Sequence, residues 1–249
     1  MMSTDIRIAQ VSDCHLPADT SRHYRNINPY KNLKSVMQKV ITLKPDLLLA
    51  TGDLSEDGSR ASYQTLQRIF QSLPVPVLAL PGNHDDHGLL ADAFPGSPVD
   101  TISVSDHGSW RIIRLNSCLA GKPEGFLSER TLKELEGFLA HHEHDPCLVT
   151  LHHQPIIIGS EWIDKYRLFE PDNFMRLIDR YTNVKAVVGG QIQQVFEADR
   201  NGVAMLCGPS SAINGQRDTP TFTKDGAGPA FRWLDYKTEG SLRSSIVRV

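Results

Sequence analysis

The sequence predicts an α/β fold with β-sheet inside and helices outside. Seven short apolar runs rich in β-branched residues indicate strands, and amphipathic segments with helical spacing separate several of them. Such alternation is typical of α/β domains. No repeat, low-complexity tract or linker interrupts the 249 residues. We therefore expect a single domain over 1–249, whose part from about residue 208 is loop-rich with hairpins.

The predicted strands are the apolar runs themselves, each bounded by polar or turn residues. Their lengths are those of ordinary strands in globular proteins. They cover residues 6–11, 46–51, 75–80, 110–115, 147–151, 184–188 and 203–207.

Four segments have the apolar spacing of amphipathic helices, at 28–44, 60–73, 128–142 and 171–181. The first has Asn28 where an N-cap is expected and Pro29 at the first helical position, which proline favours. One face of that helix is apolar and is expected to pack on the sheet.

The composition indicates a small ligand rather than a polymer or a membrane. The net charge is −3 and no basic run occurs, which argues against extended nucleic acid and against an anionic membrane surface. We expect a cytoplasmic protein, because no signal-peptide pattern and no stretch of about 18 apolar residues is present. The four cysteines form no C-x-x-C pair, so we expect reduced thiols.

Polar clusters follow five of the predicted strands. In open α/β sheets ligands bind beyond the carboxyl ends of the strands, so the five clusters are expected to converge on one site. They occupy residues 12–15, 52–53, 82–85, 152–155 and 189–193.

The residue types in these clusters suit a metal centre. Carboxylate, imidazole and amide oxygen favour Mn²⁺, Fe, Zn²⁺ or Mg²⁺ over a thiolate-bound ion. One aspartate shared by two ions about 3.5–4 Å apart builds a two-metal centre that holds a phosphoryl group. Asp53 is the candidate for that bridge, and the other candidates are Asp13, His15, Asn83 and a histidine of the 152–153 pair.

Four motifs, each after a strand, resemble those of the calcineurin-like metallophosphoesterase superfamily. They are D-x-H at 13–15, G-D at 52–53, G-N-H-D at 82–85 and H-x-P at 153–155. The stretches "ATGDLSEDG", "LPGNHD" and "LHHQP" look most similar to bacterial class III cyclic-nucleotide phosphodiesterases. The resemblance spans residues 5 to 215 approximately. It implies two facing β-sheets flanked by helices, a four-layer sandwich with the site at one end.

The resemblance also implies the reaction, the cofactors and the partners. We expect hydrolysis of a cyclic AMP-like nucleotide, or a similar small phosphodiester, by a metal-bound hydroxide. Two divalent ions are implied, as is a possible homodimer. One ion would be held by Asp13, His15 and Asp53, and the other by Asp53, Asn83 and His153.

Two catalytic details follow from the same resemblance. His84 would touch the phosphate and assist the leaving oxygen, oriented by either Glu56 or Asp57. His152 is interpreted as a packing residue or as a partner of a metal ligand, and not as a ligand itself. Asn116, which ends another strand at the same edge, is the best of the loop positions expected to reach a base or ribose; the others are His23, Tyr24, His87, Trp162 and Arg217.

The last motif of the family, G-H-x-H, reads Gly190-Gln191-Ile192-Gln193 in this chain. Three hypotheses stay open. The glutamines coordinate through oxygen and favour Mg²⁺ or Mn²⁺, or one ion is lost and activity falls, or catalysis is lost. In the last case the chain would be a nucleotide-binding or sensing relative. Activity on another phosphoester, such as a phospholipid headgroup, is a further alternative.

Overall fold

Eleven strands and six helices make up the computed structural model, which describes residues 5–249. In chain order they are β1 (Ile6–Val11), α1 (Pro29–Leu43), β2 (Leu47–Thr51), α2 (Arg60–Phe70), β3 (Val77–Leu80), α3 (His87–Ala93), β4 (Ile102–His107), β5 (Trp110–Leu115), α4 (Glu129–His141), β6 (Cys147–Leu151), α5 (Glu161–Asp164), α6 (Asp172–Arg180), β7 (Val184–Gly189), β8 (Phe196–Arg200), β9 (Val203–Cys207), β10 (Ala230–Tyr236) and β11 (Leu242–Arg248).

The strands form two sheets of mixed direction. The first has the order β11-β10-β1-β2-β3 and the second β4-β5-β6-β7-β9-β8. Strands β1 to β3 pair in parallel, as do β5, β6, β7 and β9. The carboxyl ends of these parallel strands therefore lie together along one edge of each sheet.

A shared apolar core joins the inner faces of the two sheets. Ile8 and Leu49 of the first sheet belong to the same buried cluster as Leu148 and Val188 of the second. A second cluster packs α1 and α2 on the first sheet, and a third packs α4 and α6 on the second. The predicted four-layer α/β sandwich of two facing sheets flanked by helices is confirmed.

Local sequence explains where the main helices begin. The side chain of Asn28 accepts a hydrogen bond from the amide of Lys31 and caps α1 as predicted. Ser59 and Ser128 cap α2 and α4 in the same way. All seven predicted strands and all four predicted helices are present, with ends displaced by at most a few residues.

The elements that the sequence does not predict are short or polar. Strand β4 reads ISVSDH and edge strand β8 reads FEADR, so neither has the apolar run by which strands were identified. Helices α3 and α5 have seven and four residues. The C-terminal part does form a hairpin, β10–β11, and β10 pairs with β1 inside the first sheet. None of the helices in the described part of the chain has the length and hydropathy of a membrane span.

Candidate metal centre

Five of the predicted site residues lie on left-handed backbone directly after their strands. The φ angles are 51° at Asp13, 44° at His15, 50° at Asp53, 67° at Gln191 and 49° at Gln193. This region is sparsely populated by residues other than glycine, and such residues cluster at functional sites. The turns are therefore held by their surroundings rather than by local preference.

Hydrogen bonds between the turns supply that restraint. The amides of Asp13 and His15 donate to the carbonyls of Gly52 and Asp53, each at 3.0 Å. The amide of Gln191 donates to Oδ2 of Asp13 at 3.1 Å. The turn after β7 in the second sheet is thereby tied to the turn after β1 in the first.

Gly190 allows this close approach. A Cβ atom at this position would lie 2.3 Å from Oγ of Ser12 and 2.5 Å from the carbonyl oxygen of Thr51. Neither neighbour can move freely, because Ser12 is buried and Thr51 belongs to β2. Close packing against Ser12 and Thr51 thus explains why the final motif has glycine at position 190.

Asp13, Asp53 and His152 form the first group of metal-ligating side chains. All three are buried, and one ligand atom from each lies within 4.8 Å of the others. Nε2 of His152 is 3.5 Å from Oδ1 of Asp53, while Nδ1 contacts the carbonyl oxygen of Thr51 at 2.8 Å. Nε2 of His152 thus faces the predicted bridging carboxylate, and the role of His152 stays a prediction.

Charge coupling is strong inside this group. Burial opposes protonation of His152, but the carboxylates of Asp53 and Asp13 and the Thr51 carbonyl together outweigh it and raise the pKa of His152 to about 9. Burial likewise opposes ionisation of Asp53, yet the positive charge of His152 lowers the pKa of this carboxyl, helped by His15 and His84. The arrangement therefore favours a carboxylate facing a cation.

His153, which was predicted as the ligand, lies beside this group. Its Nδ1 is 2.9 Å from Oγ of Ser117, and its Nε2 is buried and has no hydrogen-bond partner among the described residues. Burial lowers its pKa to about 3, and the charge of His152 adds to the effect. His153 is thus held neutral, the form in which imidazole binds metals.

His15, Glu56 and His84 form the second group of side chains able to hold an ion. Oε2 of Glu56 lies 2.7 Å from Nδ1 of His15 and 3.5 Å from Nδ1 of His84. Asp57 instead accepts a hydrogen bond from the amide of Ala18 at 2.8 Å. Of the two acidic residues left open by the sequence, Glu56 is therefore the one beside His84.

The 82–85 turn places Asn83 and His84 next to these groups. The amide of His84 donates to Oδ1 of Asp53 at 3.0 Å, and its side chain is 37% exposed and so reachable from solvent. Oδ1 of Asn83 is buried without a partner among the described residues. Asp85, whose role the sequence did not reveal, holds the turn by accepting bonds from the amides of Leu54 and Gly82.

The two glutamines occupy the same centre and are almost fully buried. Nε2 of Gln193 lies 3.0 Å from Nε2 of His15, whose ring stacks on Tyr24 with centroids 4.2 Å apart. Nε2 of Gln191 is 3.5 Å from the carbonyl oxygen of Pro123. The structure thus brings Gln191 and Gln193 among the side chains of the predicted metal ligands.

Unpaired polar atoms test whether a metal fits these residues. Buried polar atoms normally have partners, so several unpaired ones at one place require an explanation. Within residues 5–249, six such atoms occur in the centre: Oδ1 of Asp13, Oδ1 of Asn83, Nε2 of His152, Nε2 of His153, Oε1 of Gln191 and Oε1 of Gln193. Oxygen and imidazole nitrogen are the ligands of hard and borderline divalent ions, so the donor set fits such an ion.

Asn116 lies near this edge but its amide is already engaged. Its Nδ2 contacts the carbonyl oxygen of Val99 and lies 3.2 Å from Nδ1 of His87, while its Oδ1 accepts from the amide of Cys118. These hydrogen bonds hold the loop in place through the Asn116 side chain. Its contact with substrate stays a prediction.

Comparison with known proteins identifies the family. The model of the calcineurin-like phosphoesterase family matches residues 6–191. A 3',5'-cyclic-nucleotide phosphodiesterase from Nostoc sp. is 36% identical over 98% of this chain and 92% of its own length. The 3',5'-cyclic adenosine monophosphate phosphodiesterase CpdA from Pseudomonas aeruginosa is 32% identical, covering 98% and 90%.

Among solved structures, a dimetal phosphatase from Danio rerio has the same fold, with a TM-score of 0.71. The match covers 96% of this chain and 98% of that one at 12% identity, so it concerns the fold alone. The family model spans most of the chain, and its match includes four of the five polar turns and the first glutamine of the last. The chain belongs to the calcineurin-like phosphoesterase family.

Proposed function

We propose that this chain is a divalent-metal-dependent phosphodiesterase that hydrolyses a 3',5'-cyclic nucleotide of the cyclic AMP type. The observation that carries the proposal is the convergence of buried ligand side chains: ligand atoms of Asp13, Asp53 and His152 lie within 4.8 Å of one another, beside the group of His15, Glu56 and His84. The relatives named as cyclic-nucleotide phosphodiesterases align over nearly the whole chain, which supports the substrate class.

Two divalent ions are part of the proposal, with Mn, Fe, Mg and Zn as candidates. When bound, they supply Lewis-acid chemistry, which stabilises charge on the phosphoryl oxygens and activates water. Asp13, His15, Asp53 and Gln193 would hold one ion. The other would be held by Asp53, Asn83, Gln191 and one histidine of the 152–153 pair. Nε2 of His152 lies 3.5 Å from Asp53, while His153 is the histidine held neutral.

His84 is proposed as the group that handles the phosphate and the leaving oxygen. Its backbone is fixed by Asp53 while its ring reaches solvent, so a substrate can approach the imidazole without displacing the turn. Glu56 lies beside the ring and limits its orientation. Donation of a proton from a positioned imidazole to the departing oxygen is general-acid catalysis.

The glutamines set the expected strength of metal binding. Loss of even an outer partner of a metal ligand typically lowers affinity about 10–100-fold. Replacement of two imidazoles by amides is therefore expected to cost roughly 3–6 kcal/mol, at about 1.4 kcal/mol per decade. At least three other ligands per ion remain, so we expect weak binding rather than none.

A second candidate function rests on the same two residues. If Gln191 and Gln193 do not coordinate, the chain would bind a nucleotide without hydrolysing it, as a sensor. The unpaired, buried Oε1 atoms of both side chains favour coordination, because an amide without a partner is costly to bury. We therefore rank the enzyme first.

The proposal is tested by turnover of cyclic AMP and of bis(p-nitrophenyl) phosphate in Mn²⁺, beside Asp53→Ala. We expect turnover that needs the ion and that the substitution abolishes. Micromolar binding of cyclic AMP without turnover in any of the four metals would support the sensor, and turnover unchanged in Asp53→Ala would place the site elsewhere.

Cytoplasmic location and a homodimer stay predictions. Light scattering tests the homodimer.

A further inference from the structure

A cluster of three aromatic rings and one arginine lies at the border of the candidate metal centre; we call Tyr24, Arg25, Trp162 and Phe222 the rim cluster. Cζ of Arg25 is 3.9 Å from the ring centroid of Phe222, 5.5 Å from that of Tyr24 and 5.8 Å from that of Trp162. Trp162 and Phe222 meet edge to face at 5.1 Å. Cations within about 6 Å of a ring centroid are attracted to it, so three rings hold this guanidinium.

Tyr24 connects the rim cluster to the predicted metal ligands. Its ring is stacked on that of His15 at an interplanar angle of 12°. Its hydroxyl oxygen accepts from Nε of Arg25 at 3.1 Å and from Nε2 of Gln193 at 3.5 Å. The Tyr24 hydroxyl therefore lies between the guanidinium of Arg25 and the predicted metal ligand Gln193. A nucleotide bound at the centre can reach across this separation.

The cluster is also packed onto the final motif. Ile192, which lies between the two glutamines, belongs to the same apolar cluster as Trp162 and Phe222. The rings are thus fixed relative to the turn that carries Gln191 and Gln193. A ligand touching both would meet a rigid arrangement.

Arg25 is held without an acidic partner. In the part of the chain that the structure describes, its contacts are the three rings and the Tyr24 hydroxyl, none of which is a carboxylate. The residue is exposed, and it and Asn26 have left-handed backbone with φ of 46° and 64°. A solvent-facing guanidinium that has no carboxylate partner among the described residues, on left-handed backbone, points to a ligand.

We infer that the rim cluster is the nucleobase subsite of the enzyme, an inference that rests on the proposed function. The base stacks on the guanidinium plane of Arg25, backed by Phe222, while the cyclic phosphate lies over the predicted metal ligands. Arginine planes and aromatic rings are the usual stacking surfaces for unpaired bases. Loss of such a surface is expected to weaken binding roughly tenfold to a hundredfold.

The test compares two ligands that differ by a base. Dissociation constants for adenosine 5'-monophosphate and for ribose 5-phosphate are measured by calorimetry in Mn²⁺, for the native chain and for Arg25→Ala, Arg25→Lys and Phe222→Leu. Arg60→Ala, an exposed arginine that touches none of the three rings, is the control. We expect Arg25→Ala to weaken the adenine ligand at least tenfold and to leave the base-free ligand unchanged. Arg25→Lys is expected to lose most of the preference, because an ammonium lacks the stacking plane.

Other outcomes overturn the inference. Equal weakening of both ligands would mean that Arg25 contacts the phosphate. No change in either, or no preference of the native chain for the adenine ligand, would mean that the cluster is structural. These measurements need no turnover, so absence of cyclic AMP hydrolysis by the native chain contradicts the proposed function separately. Circular dichroism confirms that each variant is folded.

Discussion

Nδ1 of His15 lies 2.7 Å from Oε2 of Glu56, and this contact orients a predicted metal ligand from behind. The His15 ring then presents Nε2 to the centre, 3.8 Å from Oδ2 of Asp53. Burial opposes protonation of His15, but the Glu56 hydrogen bond together with the charges of Asp53 and Asp13 outweighs it and raises the pKa of the imidazole. The same carboxylate lies beside His84, so one side chain serves both the ligand and the proposed acid.

Removal of this carboxylate should weaken metal binding without unfolding the chain. We expect Glu56→Ala to lower Mn²⁺ affinity about 10–100-fold, because the ring of His15 loses the partner that fixes its orientation. Calorimetric titration with Mn²⁺ measures the change. Asp57→Ala, which removes the neighbouring carboxylate that bonds Ala18, is the matched control and should bind as the native chain does. Equal affinities in Glu56→Ala and the native chain would remove Glu56 from the site.

Restoring imidazole at the last motif should strengthen metal binding. Gln191→His with Gln193→His is expected to raise Zn²⁺ affinity by roughly 10²–10⁴, since nitrogen donors bind this ion better than amide oxygen. The left-handed backbone at both positions accepts histidine, as it does at His15. Competition with a chelator gives the affinity of each single and double variant. Unchanged affinity would mean that these two positions do not contact the ion.

The close approach at Gly190 should make it intolerant of a methyl group. Gly190→Ala is expected to destabilise the fold by about 1–3 kcal/mol and to separate the turns after β1 and β7. Gly137 in α4 is the control, because a Cβ there meets nothing within 4 Å and alanine favours helix by about 0.5–1 kcal/mol. Urea unfolding measures both. A Gly190→Ala variant as stable as the native chain would show that the turns move apart freely.

His107 in β4 should make stability depend on pH. Burial lowers its pKa below the ordinary 6.5, and the charge of Arg114 adds to this. The unfolded chain therefore binds the proton more readily, so the contribution of His107 is complete above pH 6.5 and is lost as pH falls. We expect His107→Gln to reduce the fall in Tm between pH 7.5 and about 5.5. Parallel Tm curves for the two proteins would exclude His107 as a source of that dependence.

The strands that carry the site were predictable because both faces of each are buried. Leu47–Thr51 and Cys147–Leu151 are apolar at most positions and fully buried, so an uninterrupted run identified them. The edge strand Phe196–Arg200 escaped because its outward residues are charged. The pattern of apolar residues in a sequence reflects which side chains are buried. An exposed edge strand such as β8 buries few side chains and so lacks that pattern.

The details of the centre that the sequence leaves open concern pairs of residues adjacent in the chain. Successive side chains on an extended segment point to opposite sides, so an error of one position exchanges inside and outside. That ambiguity explains why the sequence alone does not decide which histidine of the 152–153 pair faces Asp53. It also explains why Glu56 and Asp57 were not distinguished until their hydrogen bonds were known.

The hydrogen bond from Gln191 to Asp13 joins residues 178 positions apart in the chain. At a synthesis rate of about 5–20 residues per second, Asp13 is synthesised roughly 9–36 s before Gln191. During that interval the nascent chain has Asp13, His15 and Asp53 without their partners from the second sheet. The candidate centre is thus completed late in biosynthesis, and a chain that stops before β7 would expose half of an ion-binding site in a segment that has not finished folding.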